Sequence, residues 1–494
     1  MKKIKNLLLA LLSVACVGTM AVGFAGCGEE EDSSSSKEPI FSQSSNVVSS
    51  AENSTSSVEK SSSMEEDSSA ANSSFVVESS SSEEESSSNE ETSSVMESSS
   101  GDDDSSSDSS SVEEEKIPSE GLEFTLNADE LSYSVTGIGT CTDTDLIIPA
   151  TYNDLPVTEI GADAFEYSSL TSVEIGEGIE FIRSNAFSGC YKLKTVVIPD
   201  SVTTIGAHAF GTCFYLKSIV IGRGVKFIAM NAFSSCERLT GVYIKDIAAW
   251  CDILFYGQSV GMDTNPLQYA KNLYLNNELI TELVIPESVT EIKEYAFYCC
   301  SSLTSVIIPS SVTTIGSGAF RYCESLTSVY ISDIATWCNI SFGDSSANPL
   351  CYAKNLYLND EIVTKVVIPD TITEIKNYAF YNCNSLTSVE IPDSVTMIDQ
   401  ESFENCSSLT SIEIPDSVIT IGKRAFYKCS SLTSIVIGDS VTTIGSCAFY
   451  ECSSLTSITF NGTVNEWNAI SKDSGWKQNV PATEVVCKDG SVAL

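Results

Sequence analysis

Residues 432–454 read L-T-S-I-V-I-G-D-S-V-T-T-I-G-S-C-A-F-Y-E-C-S-S. The apolar slots are Leu432, Ile435, Ile437, Val441, Ile444, Ala448, Phe449 and Cys452, with mostly Ser, Thr, Asp, Gly and Glu between them. Ile435, Val436 and Ile437 are β-branched, which predicts a strand with the two isoleucines inward and Val436 outward. Gly438-Asp439-Ser440, or Pro415-Asp416-Ser417 one coil earlier, turns the chain out of the sheet. Val441 to Ile444 reads as a second short extended piece, ended by Gly445. Ala448 and Phe449 with Cys452 three residues later have helical spacing, which predicts a short helical turn that presses Phe449 into the core.

The pattern recurs at Phe165, Phe187, Phe210, Phe233, Phe297, Phe320, Phe380, Phe403, Phe426 and Phe449, at intervals of 22, 23, 23, 64, 23, 60, 23, 23 and 23 residues. A fixed period in the twenties means a solenoid, in which each unit buries its apolar face only against its neighbours. One strand, one bend and one helical turn per coil predict a right-handed α/β solenoid with a parallel β-sheet along one side. A plain β-helix is the alternative architecture.

The consensus L-T-S-I-x-I-P-D-S-V-T-x-I-G-x-x-A-F-x-x-C resembles the BspA-like leucine-rich repeat of bacterial cell-surface proteins, over about residues 121–494. The resemblance implies surface display, adhesion, and binding of host or neighbouring-cell macromolecules. It brings no catalytic residue with it. A passive structural role in the cell surface is one alternative from another class, and a carbohydrate-active or other enzyme is a second.

The two long intervals hold a longer repeat, with inserts at about 243–283 and 330–366. Each reads Tyr-Ile, Asp-Ile-Ala-x-Trp-Cys, Asn-Pro-Leu and Tyr-Ala-Lys-Asn-Leu-Tyr-Leu-Asn. Ile247, Trp250, Cys251 and Leu254 fall at i, i+3, i+4 and i+7, one face of a helix with Asp246 as N-cap, and Ile334, Trp337 and Cys338 repeat this. The spacing places both tryptophans in the core; an aromatic platform for a partner is the other reading. Thr463 to Glu466 fits a capping box, with Val464, Trp467 and Ile470 as the apolar face of a C-terminal lid. The expected organisation is a signal at 1–27, a spacer at 28–118, an N-terminal cap with a degenerate first repeat at 119–162, the solenoid at 163–460 and a C-terminal cap at 461–494.

At the N-terminus Lys2, Lys3 and Lys5 precede an apolar stretch from Leu7 to about Val22, then Phe24-Ala25-Gly26-Cys27. This is an export signal. Small residues before a cysteine resemble a bacterial lipobox, which implies lipidation at Cys27 and a membrane-anchored protein shown at the cell surface; ordinary signal cleavage and secretion is the alternative. Residues 28–116 carry 37 Ser, 24 Asp or Glu and three Lys. Such a stretch cannot bury enough apolar surface to offset its ordering entropy, so a disordered spacer is expected.

The formal net charge of −41 argues against nucleic acid as a partner. His208 is the sole histidine, which weakens every triad and every His-based metal site, and no cofactor or metal is expected. Nine cysteines stand three residues after a repeat Phe (Cys190, Cys213, Cys236, Cys300, Cys323, Cys383, Cys406, Cys429 and Cys452). They should stack as a ladder of buried free thiols, because side chains pointing in parallel into a core present the wrong vectors for bonding, although the spacing permits disulfides, which are the alternative ahead of a metal. The outward slot of the strand carries Val220, Tyr243, Ile307, Tyr330, Glu390 and Glu413, the candidate binding face for an extracellular protein or glycan; the other reading is that these are simply good β-formers. Val220, Tyr243, Ile307 and Tyr330 are expected in neighbouring coils, as an apolar strip within an acidic surface whose partner is neutral or basic.

Overall fold

The computed structural model describes residues 117–257 and 264–494. The segment expected to act as an export signal, Cys27 and the Ser/Glu-rich stretch as far as Lys116 lie outside the described residues. What is described is a parallel-strand solenoid with little helix.

Each coil contributes a long strand and a short one. In the template coil these are Ser434–Ile437 and Thr443–Ile444. Ile435 and Ile437 are buried and Val436 is not, as the alternation requires. Residue pairs such as Ile435 with Ile412 and with Ile458 place identical slots side by side along the axis. The repeat phenylalanines stack in the core: Phe403, Phe426 and Phe449 lie with ring centroids 5.4 Å apart and planes 1° apart. Trp476 closes this stack edge-on to Phe449, and the expected Thr463–Glu466 capping box starts the helix Val464–Ala469 that buries Trp467.

The Ala-Phe segment is not the helical turn expected from its spacing. The residues two before and two after each repeat Phe have positive φ: Asn185 and Gly189 around Phe187, His208 and Thr212 around Phe210, Arg424 and Lys428 around Phe426. An α-helix cannot pass through such residues. Backbone bonding explains the choice. Asn185, Phe187 and Gly189 donate their N–H groups to the next coil, at Ala207, Ala209 and Gly211, over 2.8 to 2.9 Å. The alternate residues Ala186, Ser188 and Cys190 donate three residues back, to Arg183, Asn185 and Phe187. The third side of the coil is thereby a ladder as well, and its donors are satisfied without a helix.

The long strands form three consecutive sheets. The first runs from Asp145–Ile148 to Leu273–Leu275, the second from Glu282–Val284 to Leu356–Leu358, and the third from Lys365–Val367 to Glu484–Cys487. Each ends in one antiparallel strand: Glu278–Leu279, Glu361–Ile362 and Gly490–Ala493. Asn276-Asn277 and Asn359-Asp360 make the first two turns with φ of 50° and 70°, and 52° and 71°, the positive pair that a two-residue hairpin needs. The short-strand sheets break at the same two places, after Leu254–Phe255 and Ser341–Phe342.

Both inserts start with short helices, Ile247–Cys251 and Ile334–Cys338, whose N-cap carboxylates are Asp246 and Asp333. Trp250 and Trp337 are each 1 % exposed. Leu254 departs from the expected helix face. The helix ends at Cys251 and Leu254 sits in a strand, turned outward, because Asp252 already leaves helical geometry.

Candidate binding surface

The pleat sets the outward row. Val220 lies between buried Ile219 and Ile221, Tyr243 between Val242 and Ile244, Ile307 between Val306 and Ile308, and Tyr330 between Val329 and Ile331. Alternation leaves the middle residue of each trio no direction but out of the sheet. Glu390 and Glu413 occupy the same slot in the third sheet and are exposed. All six sequence-expected residues therefore share one face.

They do not form the single run of neighbours expected from sequence. Val220 pairs with Tyr243, and Ile307 pairs with Tyr330, but Tyr243 and Ile307 belong to different sheets. The strands between them display Tyr274, Leu279 and Val284 in the same slot. The second insert likewise adds Tyr357 beside Tyr330 and Ile362 beside Tyr357. Tyr274 and Tyr357 escaped the sequence reading because intervals of 64 and 60 residues hide a ladder strand. The signal was present in Leu273-Tyr274-Leu275 and Leu356-Tyr357-Leu358, which alternate like the strands of the ordinary coils.

The tyrosines come in stacked pairs. Tyr243 and Tyr274 have ring centroids 4.5 Å apart with planes 12° apart, and Tyr330 and Tyr357 are 4.8 Å and 22° apart. The first pair leans over Gly241, whose added Cβ would stand 2.8 Å from a Tyr243 ring carbon and 3.0 Å from one of Tyr274. Sibling strands hold Ser at that slot, as in Ser218, Ser305 and Ser328. The apolar row runs from Val197 to Val367, which are 52 and 54 % exposed, and Leu279 and Ile362 within it are 43 and 47 % exposed. Glu174 borders it beside Val197, and a Lys365–Glu390 ion pair borders it beyond Val367.

The other singled-out residues sit away from this face. His208 is exposed at a positive-φ position, with Nε2 3.5 Å from Asn231 Nδ2. The nine ladder cysteines are buried free thiols. Seven of them donate to the carbonyl of a repeat Phe one coil back, as Cys190 Sγ does to Phe165 at 3.1 Å and Cys452 to Phe426 at 3.1 Å. Burial pushes the Cys190 and Cys452 thiols up to about 12. Among the described residues no three His, Cys, Asp or Glu side chains gather as metal ligands.

No curated protein matches the chain. A leucine-rich repeat protein from Bacteroides ovatus is 24% identical over 73% of this chain and 97% of its own, with a TM-score of 0.38. A leucine-rich cell surface protein from Faecalibacterium prausnitzii is 25% identical over 73% and 98%, with a TM-score of 0.36. The pneumococcal vaccine antigen PcpA is 16% identical over 75% and 98%, with a TM-score of 0.36. The model of the BspA type leucine-rich repeat region matches six copies, at residues 145–261, 264–348 and 352–471. With stacked 23-residue coils observed across all three stretches, the chain belongs to the BspA-type leucine-rich repeat family.

Proposed function

We propose that this protein is a non-enzymatic binding protein of the bacterial cell surface, anchored by a lipid at Cys27, and that it adheres to host or neighbouring-cell macromolecules through the outward row of its sheets. One observation carries the reading: aliphatic and aromatic side chains occupy the solvent-facing slot on every strand from Val197 to Val367, from the first sheet through the second to the first strand of the third. Folding does not demand this, since Glu413 and Thr459 fill the same slot in the third sheet. Exposed apolar rows rimmed by polar residues mark contact surfaces, and tyrosine is enriched at their centres. Lipid anchorage is supported by the small residues before Cys27 and the polar spacer after it.

Oxidative footprinting tests the reading. The protein would be labelled alone and with a partner captured from extracellular-matrix or bacterial surface extracts. Protection confined to Tyr243, Tyr274, Tyr330 and Tyr357 supports it, whereas protection confined to tyrosines on the other sides of the coils contradicts it.

A further inference from the structure

The repeat supplies its own control for which surface residues the fold needs. In nine coils the two residues between the ladder cysteine and the next buried leucine form an outward corner. The second of them is Ser in six coils (Ser302, Ser325, Ser385, Ser408, Ser431 and Ser454), and in those coils the residue after the leucine is Thr. The first three coils differ. Their corners read Tyr191-Lys192, Phe214-Tyr215 and Glu237-Arg238, and Lys194 and Lys217 follow the first two leucines. The turn is the same in both groups: Leu193 and Leu216 donate to Cys190 and Cys213 at 3.1 and 3.0 Å, as Leu409 and Leu432 donate to Cys406 and Cys429 at 3.1 Å. Serine and threonine suffice to build it, so aromatics and cations are not there for folding.

These residues form one surface. Lys217 N–H donates to the Lys194 carbonyl at 2.8 Å, which sets the two lysines side by side in successive coils. Tyr191, Phe214 and Tyr215 are 42, 40 and 47 % exposed, and the Arg238 guanidinium lies 4.2 Å from the Tyr215 ring centre. Lys192, Lys194, Lys217 and Arg238 are exposed and take part in none of the ion pairs among the described residues. Four cations stand at these three corners with one acid among them, Glu237, and with Asp145 near Lys194, in a chain whose net charge is −41. The acidic average conceals a basic corner.

We propose that this corner binds an anionic polysaccharide. Lys194 and Lys217 stand in the same slot of successive coils, roughly 5 Å apart, and Lys192 and Arg238 occupy the neighbouring slot of the first and third coils, so that each of the three coils offers a cation to a run of carboxylate or sulfate groups. The aromatic rings between them give flat apolar faces against which sugar rings pack. A shallow strip of cations and exposed rings along three coils suits an extended charged chain better than a protein, whose anchor residues need a pocket. The site is separate from the sheet row and stands or falls independently of it.

The test uses the full chain and two variants that carry the sibling coils' residues, so that folding is retained. One combines Lys192→Ser, Lys194→Thr, Lys217→Thr and Arg238→Ser; the other combines Tyr191→Ser, Phe214→Ser and Tyr215→Ser. Titrations with heparin, polygalacturonate, dextran and polyglutamate distinguish sulfate, carboxylate, neutral sugar and acidic peptide. The parent should bind heparin or polygalacturonate in low salt, ignore dextran, and bind polyglutamate roughly tenfold more weakly or worse; the cation variant should lose roughly tenfold or more, and the aromatic variant should lose affinity while keeping the salt dependence. No binding of either acidic glycan by the parent, or binding undiminished in both variants, overturns the proposal. Polyglutamate binding as tight as the glycans overturns it in favour of an acidic protein.

Discussion

The indole Nε1–H of Trp250 donates to the carbonyl of Ala296 at 2.9 Å, and that of Trp337 donates to Ala379 at 2.8 Å. In an unbroken stretch this alanine carbonyl takes the N–H of the preceding repeat Phe, as Ala232 takes that of Phe210 at 2.8 Å. At the two places where the sheets stop, a tryptophan side chain supplies the missing donor. Asn265 and Asn348 add Nδ2 bonds of 2.8 Å to the neighbouring carbonyls of Tyr295 and Tyr378.

Trp250→Phe should therefore cost about 1–2 kcal/mol through the lost bond to a buried carbonyl, and Trp250→Ala about 3–5 kcal/mol because a cavity is added. Urea unfolding followed by circular dichroism checks this. A Trp250→Phe variant as stable as the parent would mean that the indole bond contributes nothing.

Thr212 is a β-branched residue at φ 55°, a conformation that costs such side chains roughly 1 kcal/mol or more. Its slot is Gly189, Asn382 and Asn405 in other coils. Thr212→Asn should raise stability by about 1 kcal/mol. A fall in the urea midpoint would contradict the account of the third side.

Glu404 introduces a pH dependence. Burial pushes its carboxyl up to about 7, with the neighbouring Glu401 charge adding to the effect, and its Oε2 has no hydrogen-bond partner. Burial together with Glu374 raises Asp399 as well. A folded state that holds its proton more tightly than the unfolded chain loses stability as pH rises from the ordinary carboxyl value to the raised one. The melting temperature should fall between pH 5 and about 7 and level off above, and Glu404→Gln should flatten part of that slope. A slope unchanged by Glu404→Gln would remove Glu404 from the explanation.

The thiol ladder gives a chemical readout. Thiolates are the reactive species, and burial raises the thiols of Cys190, Cys300 and Cys452 to about 12. The folded protein should leave the nine ladder cysteines unlabelled by a thiol reagent at pH 8, while the denatured protein, never reduced, should label most of them. A majority blocked until reduction would mean that the coils are stapled by disulfides.

Much of this was legible in one coil. Inward Ile435 and Ile437, outward Val436 and the Phe449 stack follow from a pattern of period two and a repeat of 23 residues. The Ala-Phe segment was misread because Phe449 and Cys452 fall at the same spacing on a helix and on a pair of left-handed turns. Only bonding to the next coil decides between them. The partners Tyr274 and Tyr357 were hidden by sequence distance, and the basic corner by averaging: a net charge of −41 says nothing about where its few cations gather.

The most direct test of the binding face replaces its tyrosines with the residue that Thr459 already places in that row. A chain carrying Tyr243→Thr, Tyr274→Thr, Tyr330→Thr and Tyr357→Thr should melt within a few degrees of the parent and capture its partner with affinity lowered by about 2–4 kcal/mol. A folded variant that binds its partner as well as the parent would contradict the assignment of this face.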